Sequence, residues 1–333
     1  MAADYLHMNP FLDAADAENM LHIAESFGSF GTYADEATSE GLGESLPQRF
    51  DVGLHYVARG LDGQGNRDDA ETATSRTNYF RETYAYGSDV RVKGIEPFMD
   101  HPLMQATARK FSGSNAVVPA IIYANLLVPG QELAIHTDVP EFRGANRRNA
   151  PQWLLVCMQH SGLFERWRIP ILTCVSWFGV AQGGAFTFYP AGAGGPREAI
   201  PARHNSAILV DTDRVFHGVE RVAHERPDLP AIGRDTRLHF VGDERWVLQE
   251  GEQQVAEYPW ESIRYSVSWK AYCFRDDVDR ATWEDGSDDL SIEQILDTLE
   301  QELRRCGVLA GERPAPDDFA LKMVETFIRF PGS

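Results

Sequence analysis

Short β-branched and aromatic runs, separated by glycine and proline, follow one another from Ala116 to Phe274. They number about eight to ten and include NAVVPAIIYANLLV, QELAIHTD, WLLVCMQHS, IPILTCVSWFG, GGAFTFYPAG, NSAILVDTD, RVFHGVERV, TRLHFVG, RWVLQE and SIRYSVSWKAYCF. We expect no helix between these runs, and such a series predicts an antiparallel sandwich or barrel. A doubly wound nucleotide-binding sheet is excluded, because no run leads through a glycine-rich turn into a helix.

The regions before and after this segment are partly helical. Residues 1–115 are expected to form a helical and mixed region that packs on the core. Residues 116–275 would form the core, with an insertion at about 224–260, and residues 276–333 an acidic linker followed by helices. The predicted fold class is therefore mainly β with flanking helices.

Local signals predict two helices in the N-terminal region. The stretch Asp13 to Phe27 has apolar residues on one helical face, and Asp100 followed by Pro102 predicts a second helix capped by that aspartate. The polar stretch between them, Leu61 to Arg76, predicts an exposed loop.

Two more helices are predicted near the C terminus. The stretch Arg275 to Asp289 is expected to be an acidic linker. Ser291 and Gln294 then form a capping-box pair at the start of one helix, and the stretch Asp317 to Arg329 predicts a second. Both are expected to pack on the outside of the β core.

The charge balance limits what the protein binds. Fifty acidic residues against 31 basic ones give a formal net charge of −19, and so negative a surface repels nucleic acid and anionic membranes. The four cysteines form no CxxC pair, and the N terminus lacks the pattern of a secretion signal. We expect a cytoplasmic protein with a small-molecule substrate, and its oligomeric state is left open.

The segment QELAIHTD carries the first chemical signal. His136 and Asp138 are two residues apart on a predicted strand, so their side chains leave the same face and can hold one metal ion. The pair is weak evidence by itself, because a His-x-Asp or His-x-Glu is common by chance in so acidic a chain.

Three further features of the chain support this signal: a turn directly before the strand, and two motifs that come after it. The turn Pro129-Gly130 places this strand in a hairpin, and His217 lies on the later run RVFHGVERV. Two histidines and one carboxylate form the facial triad of non-heme iron. In IRYSVSWK, Arg264 and Ser266 share one strand face and could receive a carboxylate.

The stretches VPGQELAIHTD, GGAFTFYP, NSAILVDTDRVFHGVERV and IRYSVSWK resemble the double-stranded β-helix core of the iron(II)- and 2-oxoglutarate-dependent dioxygenases, a jelly-roll, cupin-like fold. They are most similar to the prolyl-hydroxylase-type branch. The resemblance implies that His136, Asp138 and His217 bind Fe(II) and that Arg264 with Ser266 binds the far carboxylate of 2-oxoglutarate. It further implies that the enzyme uses O2 to oxidise an aliphatic C–H bond, with hydroxylation as the default outcome and desaturation, ring closure and epoxidation left open. Halogenation is disfavoured, because Asp138 stands where the halide-using relatives have a small residue.

One departure from that family leaves an alternative open. Its basic residue usually follows the distal histidine by about one strand and a turn, whereas Arg264 lies much further along, and Arg237 stands in the gap. We prefer Arg264, because its RYSVSW setting fits the clamp strand better. Asn125 and Tyr123, which alternate on the strand before the turn, are candidate contacts to the cosubstrate or substrate.

The loop after the HxD motif suggests how a substrate is held. Arg143, Arg147 and Arg148 lie in EFRGANRR, close to the metal ligands along the chain. We expect them to hold an anionic group, so a small carboxylate-bearing metabolite, such as an amino acid or natural-product intermediate, is the predicted substrate. Two alternatives stay open: a cupin-like metal-binding or isomerase protein without a keto acid, and a hydroxylase of protein side chains.

Overall fold

The computed structural model describes residues 4–33, 49–59, 68–223 and 229–332. Its strands are β1 (Tyr5–Met8), β2 (Ser29–Thr32), β3 (Phe80–Tyr86), β4 (Asp89–Val90), β5 (Ala116–Leu127), β6 (Leu133–His136), β7 (Glu141–Phe142), β8 (Arg168–Ile169), β9 (Ile171–Phe178), β10 (Phe186–Phe188), β11 (Glu198–Ile200), β12 (Ser206–Val210), β13 (His217–Val219), β14 (Thr236–Gly242), β15 (Arg245–Glu250), β16 (Gln253–Pro259) and β17 (Arg264–Phe274). Its α-helices are α1 (Ala14–Phe27), α2 (Phe50–Arg59), α3 (Ala70–Thr77), α4 (Glu96–Met99), α5 (Pro102–Ser112), α6 (Gln152–Ser161), α7 (Asp277–Asp285), α8 (Ile292–Arg305) and α9 (Pro316–Phe327).

Two antiparallel sheets form the core. The smaller sheet has the order β11-β10-β13-β6, and the centre of the larger sheet has the order β12-β9-β17-β5. Each sheet contributes four core strands, and the chain passes from one sheet to the other after each of them except β10, which pairs with its successor β11 in the smaller sheet. This is the double-stranded β-helix arrangement. The predicted fold class is therefore confirmed.

The N-terminal region and the insertion extend the larger sheet. Beyond β5 it continues through β3 and β2 to β14, β15 and β16, and at the opposite edge β1 pairs with β12. The part of the predicted insertion that the structure describes thus forms a three-stranded meander at a sheet edge. Residues 224–228 of that prediction lie outside the described residues. The division into three regions stays a prediction.

The two faces of β17 differ sharply in chemistry. Tyr265, Val267 and Trp269 belong to the large apolar cluster on the outer face of the larger sheet. The alternate residues, which face the smaller sheet, are buried and polar: Arg264, Ser266, Ser268 and Lys270. A strand alternates its side chains between two faces, and a buried polar face marks the space between the sheets as a candidate site.

A second apolar cluster covers the smaller sheet. Helices α6, α8 and α9 pack together there, with Leu155, Leu299 and Met323 buried against Phe216. The capping box of Ser291 and Gln294 at the start of α8 is confirmed.

The prediction that WLLVCMQHS is a strand was wrong, since the segment forms α6. Its residues 154–158 are all buried, because the sheet lies on one side and two helices on the other. An apolar run without a polar face has no period by which a helix differs from a strand.

Three local predictions also need correction. The acidic linker contains α7, which Asp276 caps and whose acidic first turn favours a helix. The second part of the predicted loop is α3, capped by Asp69, while residues 60–67 lie outside the described residues. Helix α5 begins at Pro102, but its cap is His101 rather than Asp100.

The helix predicted for Asp13 to Phe27 is confirmed as α1, capped by Asp13. Among the described helices, none combines the length and apolar character that a bilayer span requires.

Candidate metal centre and its polar surroundings

The two histidines of the predicted triad lie opposite each other on neighbouring strands. His136 at the end of β6 pairs in register with His217 at the start of β13, and the ring centroids are 4.3 Å apart. The next residue, Gly218, allows this close approach, because a Cβ there would lie 2.7 Å from the carbonyl oxygen of Leu133.

Backbone hydrogen bonds orient both imidazole rings. The Nδ1 atoms of His136 and His217 lie 2.8 Å from the carbonyl oxygens of Ala134 and Val215, respectively. A carbonyl oxygen only accepts, so Nδ1 carries the proton and Nε2 keeps its lone pair. Burial, together with His136, lowers the pKa of His217 to about 3, so this ring is neutral and able to bind a metal.

Asp138 completes the group. Its Oδ1 lies 3.5 Å from Nε2 of His136 and 3.8 Å from Nε2 of His217, and the three donor atoms all lie within 4.8 Å of one another. Two donors bound to one ion at ~2.1 Å each are at most ~4.2 Å apart, and both distances from Oδ1 of Asp138 lie within that limit. Two imidazoles and one carboxylate suit non-heme iron(II).

The other carboxylate oxygen of Asp138 binds a lysine that the sequence reasoning missed. Nζ of Lys270 on β17 lies 2.6 Å from Oδ2 of Asp138 and 3.4 Å from Oγ1 of Thr212. Burial opposes ionisation of the carboxyl, but Lys270 and the two histidines outweigh it and hold the pKa of Asp138 well below its usual range. The carboxylate is thus charged before any metal binds.

A second buried carboxyl lies behind this pair. Asp213 is fully buried, and neither of its oxygens has a hydrogen-bond partner among the described residues. The guanidinium of Arg168 is 4.0 Å away but donates to Asp211. Burial raises the pKa of Asp213 to about 7, although Lys270 counteracts this.

Arg264 lies at the other end of the polar face of β17. Its Nε donates to the carbonyl of Gly184 at 2.6 Å and its Nη1 to Oγ of Ser266 at 3.2 Å. Its Nη2 is buried and has no hydrogen-bond partner among the described residues. Burial lowers the pKa of Arg264 to about 9. A buried guanidinium with an open donor fits a ligand carboxylate, which would satisfy the charge.

Gly184 lets the backbone approach this arginine closely. Its φ is +61°, and a Cβ there would lie 2.5 Å from Cδ of Arg264. The glycine stands in the GGAF segment, but the sequence alone did not connect it with the clamp.

Asn125 and Tyr123 lie on the strand next to the clamp. On β5, Asn125 is the register partner of Ser266, and Tyr123 is that of Ser268, so both face the space between the sheets. Oδ1 of Asn125 is buried without a hydrogen-bond partner among the described residues. The ring of Tyr123 lies under the guanidinium of Arg81, 3.9 Å from its centroid.

The alternative clamp residue, Arg237, lies elsewhere. It is on β14, which β2 and β3 separate from β5. Its guanidinium donates to Oγ of Ser29 and to Glu82. The structure therefore favours Arg264 over Arg237.

The three loop arginines differ in their surroundings. Arg143 is buried and donates to Asp279 at 2.9 Å and to Asp288 at 2.7 Å, a geometry that favours a structural role over the predicted substrate contact. Arg147 and Arg148 are exposed, and Arg148 donates to the hydroxyl of Tyr86.

An apolar cluster fills the opposite half of the space between the sheets. It includes Trp177, Phe186, Phe188 and Val210, and Phe186 stacks on the His217 ring with centroids 5.4 Å apart. Polar ligands are therefore directed to the half that β5 and β17 line.

No protein-family model and no curated protein matches the chain, but solved structures do. A Pseudomonas putida prolyl-4-hydroxylase matches over 81% of this chain and 92% of its own, with 10% identity and a TM-score of 0.40. The non-heme alpha-ketoglutarate-dependent carbocyclase SnoK from nogalamycin biosynthesis matches over 81% and 80%, with 11% identity and a TM-score of 0.42. A Trichoplax adhaerens prolyl hydroxylase matches over 83% and 86%, with 10% identity and a TM-score of 0.41.

Proposed function

We propose that the protein is an iron(II)- and 2-oxoglutarate-dependent oxygenase. The observation that carries the proposal is the arrangement of His136, His217 and Asp138: two Nε2 lone pairs and one carboxylate oxygen converge on one point. Nearby, the buried Arg264 has an open donor. A metal triad alone would also suit a cupin-like isomerase, but such a protein has no use for a carboxylate clamp.

The chain's own residues supply position and charge. The two backbone carbonyls fix the imidazole rings, and Arg264 with Ser266 would bind the far carboxylate of 2-oxoglutarate. Asn125 and Tyr123 line the same space. Bound iron(II) would couple O2 reduction and 2-oxoglutarate decarboxylation to the oxidation of a C–H bond.

The proposed substrate is a small, carboxylate-bearing metabolite that is hydroxylated at an aliphatic carbon. Arg147 and Arg148 support this, because they are exposed cations in a chain with a net charge of −19. Because Arg143 is bound to two aspartates, Arg147 and Arg148 are the proposed substrate contacts.

The test is anaerobic addition of iron(II) and then 2-oxoglutarate. We expect a weak visible metal-to-ligand charge-transfer band, which requires both ligands in one site. His217→Ala should remove the band together with stoichiometric iron binding, while circular dichroism shows an intact fold. Iron binding that is unchanged in this variant, or a wild-type protein without the band, would contradict the proposal.

A further inference from the structure

The carboxylate of Asp138 has two oxygens in different surroundings. Oδ1 faces the Nε2 atoms of both histidines, whereas Oδ2 accepts a hydrogen bond from Lys270 at 2.6 Å. The ammonium comes from β17 in the larger sheet, on the opposite side of the site from β6. One carboxylate oxygen therefore faces the metal site, and the other is bound to Lys270.

The surroundings of Lys270 hold its ammonium in place. Thr212 lies 3.4 Å from Nζ, its hydroxyl is 2.6 Å from that of Thr173, and its carbonyl accepts from the backbone N–H of Asp138 at 2.9 Å. The side chain of Lys270 is only 11% exposed. This leaves little freedom for the carboxylate to rotate and present both oxygens.

We propose that Lys270 is a positioning residue that restricts Asp138 to binding the metal through Oδ1 alone. The inference rests on the proposed metal site and adds a residue to it. A carboxylate binds a metal through one oxygen or through both. Two-oxygen binding would occupy a fourth position and leave two open, whereas the proposed chemistry needs three, two for 2-oxoglutarate and one for O2.

The charge of Lys270 has a separate consequence. An ammonium beside a dication lowers the affinity of the site for that cation. Lys270 therefore weakens metal binding but keeps three coordination positions open. Loss of Lys270 should therefore tighten metal binding while it reduces the number of open positions. The affinity change follows from the charge alone, so the number of open positions is the measurement that distinguishes a positioning lysine from a structural one.

Manganese(II) is a suitable probe, because paramagnetic relaxation of water counts the exchangeable waters on the bound ion. In Lys270→Met we expect tighter Mn(II) binding and a relaxivity per bound ion that falls by about a third, since one of three open positions is lost. Lys270→Gln keeps an N–H donor without the charge, so its relaxivity should match the wild type although its affinity rises. Lys270→Arg keeps donor and charge, and both values should stay near those of the wild type.

Ser268→Ala is the matched control, because it removes a buried polar group from the same face of β17. Wild-type relaxivity in a folded Lys270→Met variant overturns the proposal, and so does a fall that the Gln and Arg variants share. Should Lys270→Met fail to fold, Lys270→Met/Asp213→Asn is used in its place, because it also removes the buried carboxyl whose ionised form Lys270 stabilises. A wild-type protein that binds no Mn(II), or His217→Ala that still binds it, would instead refute the proposed function.

Discussion

His136 and His217 are directly opposed residues of β6 and β13, and each ring is fixed by a hydrogen bond to the carbonyl two residues before it. The backbone of these two paired strands therefore sets both the separation and the tautomer of the two imidazoles. Changes that alter the spacing of these strands should act on metal binding without touching a ligand.

Gly218→Ala tests this relationship. The new Cβ would lie 2.7 Å from the carbonyl oxygen of Leu133 and 2.9 Å from Cδ1 of Ile135, so β6 and β13 must move apart. We expect the free energy of unfolding to fall by about 1–3 kcal/mol and iron(II) affinity to fall at least tenfold, measured by anaerobic titration. Gly194→Ala, where a Cβ meets nothing within 4 Å, is the control. Unchanged affinity in Gly218→Ala would show that strand spacing does not set the site.

Arg264→Leu tests the carboxylate clamp. Loss of one partner of a buried charge pair costs about 3–5 kcal/mol, so 2-oxoglutarate affinity should fall roughly 100- to 5,000-fold. The free energy of unfolding without cosubstrate should not fall, because the variant removes a buried guanidinium whose Nη2 has no partner among the described residues.

Arg237→Leu is the matched comparison. Its guanidinium pairs with Glu82 at a partly exposed site, so we expect a stability change of at most about 1 kcal/mol and unchanged 2-oxoglutarate affinity. If Arg237→Leu weakens cosubstrate binding and Arg264→Leu does not, the assignment of the clamp is wrong.

Arg143 should act on stability rather than on substrate. Its ion pair with Asp279 is buried on both sides, but Arg275 also donates to Asp279 at 2.7 Å, so the carboxylate keeps one charged partner when Arg143 is lost. We therefore expect Arg143→Ala to lower the free energy of unfolding by about 1–3 kcal/mol, measured by urea unfolding.

The double variant Arg147→Gln/Arg148→Gln should have the reverse profile. Its free energy of unfolding should stay within about 0.5 kcal/mol of the wild type. The Michaelis constant for a carboxylate-bearing substrate identified by screening should rise, with 2-oxoglutarate affinity unchanged. Equal kinetics for wild type and double variant would leave these two arginines as surface groups.

Asp213→Asn should remove a pH dependence of stability. Burial raises the pKa of Asp213 to about 7 in the folded protein, whereas an unfolded chain releases this proton near pH ~4. As pH rises through this window, the unfolded state loses its proton first, so the wild type loses stability by at most ~1.4 kcal/mol per pH unit. The amide does not titrate, so the stability of the variant relative to the wild type should increase from about pH 4 to 7.

Thermal unfolding of the metal-free proteins at several pH values measures this difference, and the exposed Asp89→Asn is the control. Parallel curves of stability against pH for Asp213→Asn and wild type would contradict the prediction.

Much of the candidate site can be predicted from local sequence. His136 ends β6 and Asp138 lies just beyond it. The two-residue spacing of extended chain puts both side chains on one side, as it does for Arg264 and Ser266 on β17. The order of these pairs around His217 predicted the metal group, and the family resemblance that they carry implied the sheet arrangement that brings it together. The pairing of Ser291 with Gln294 is also local, since a capping box spans a single helical turn.

Only the tertiary structure decided which distant groups compensate one another. Lys270 lies 132 positions from Asp138, and Arg143 lies 136 positions from Asp279, so no spacing rule connects either pair. The helix at 152–161 likewise depends on the sheet and helices that surround it. A strand or helix pattern determines which side chains share a face, but the partner of a buried charge is set by which faces pack together. In a low-dielectric interior, that partner determines the cost of the charge and therefore its role.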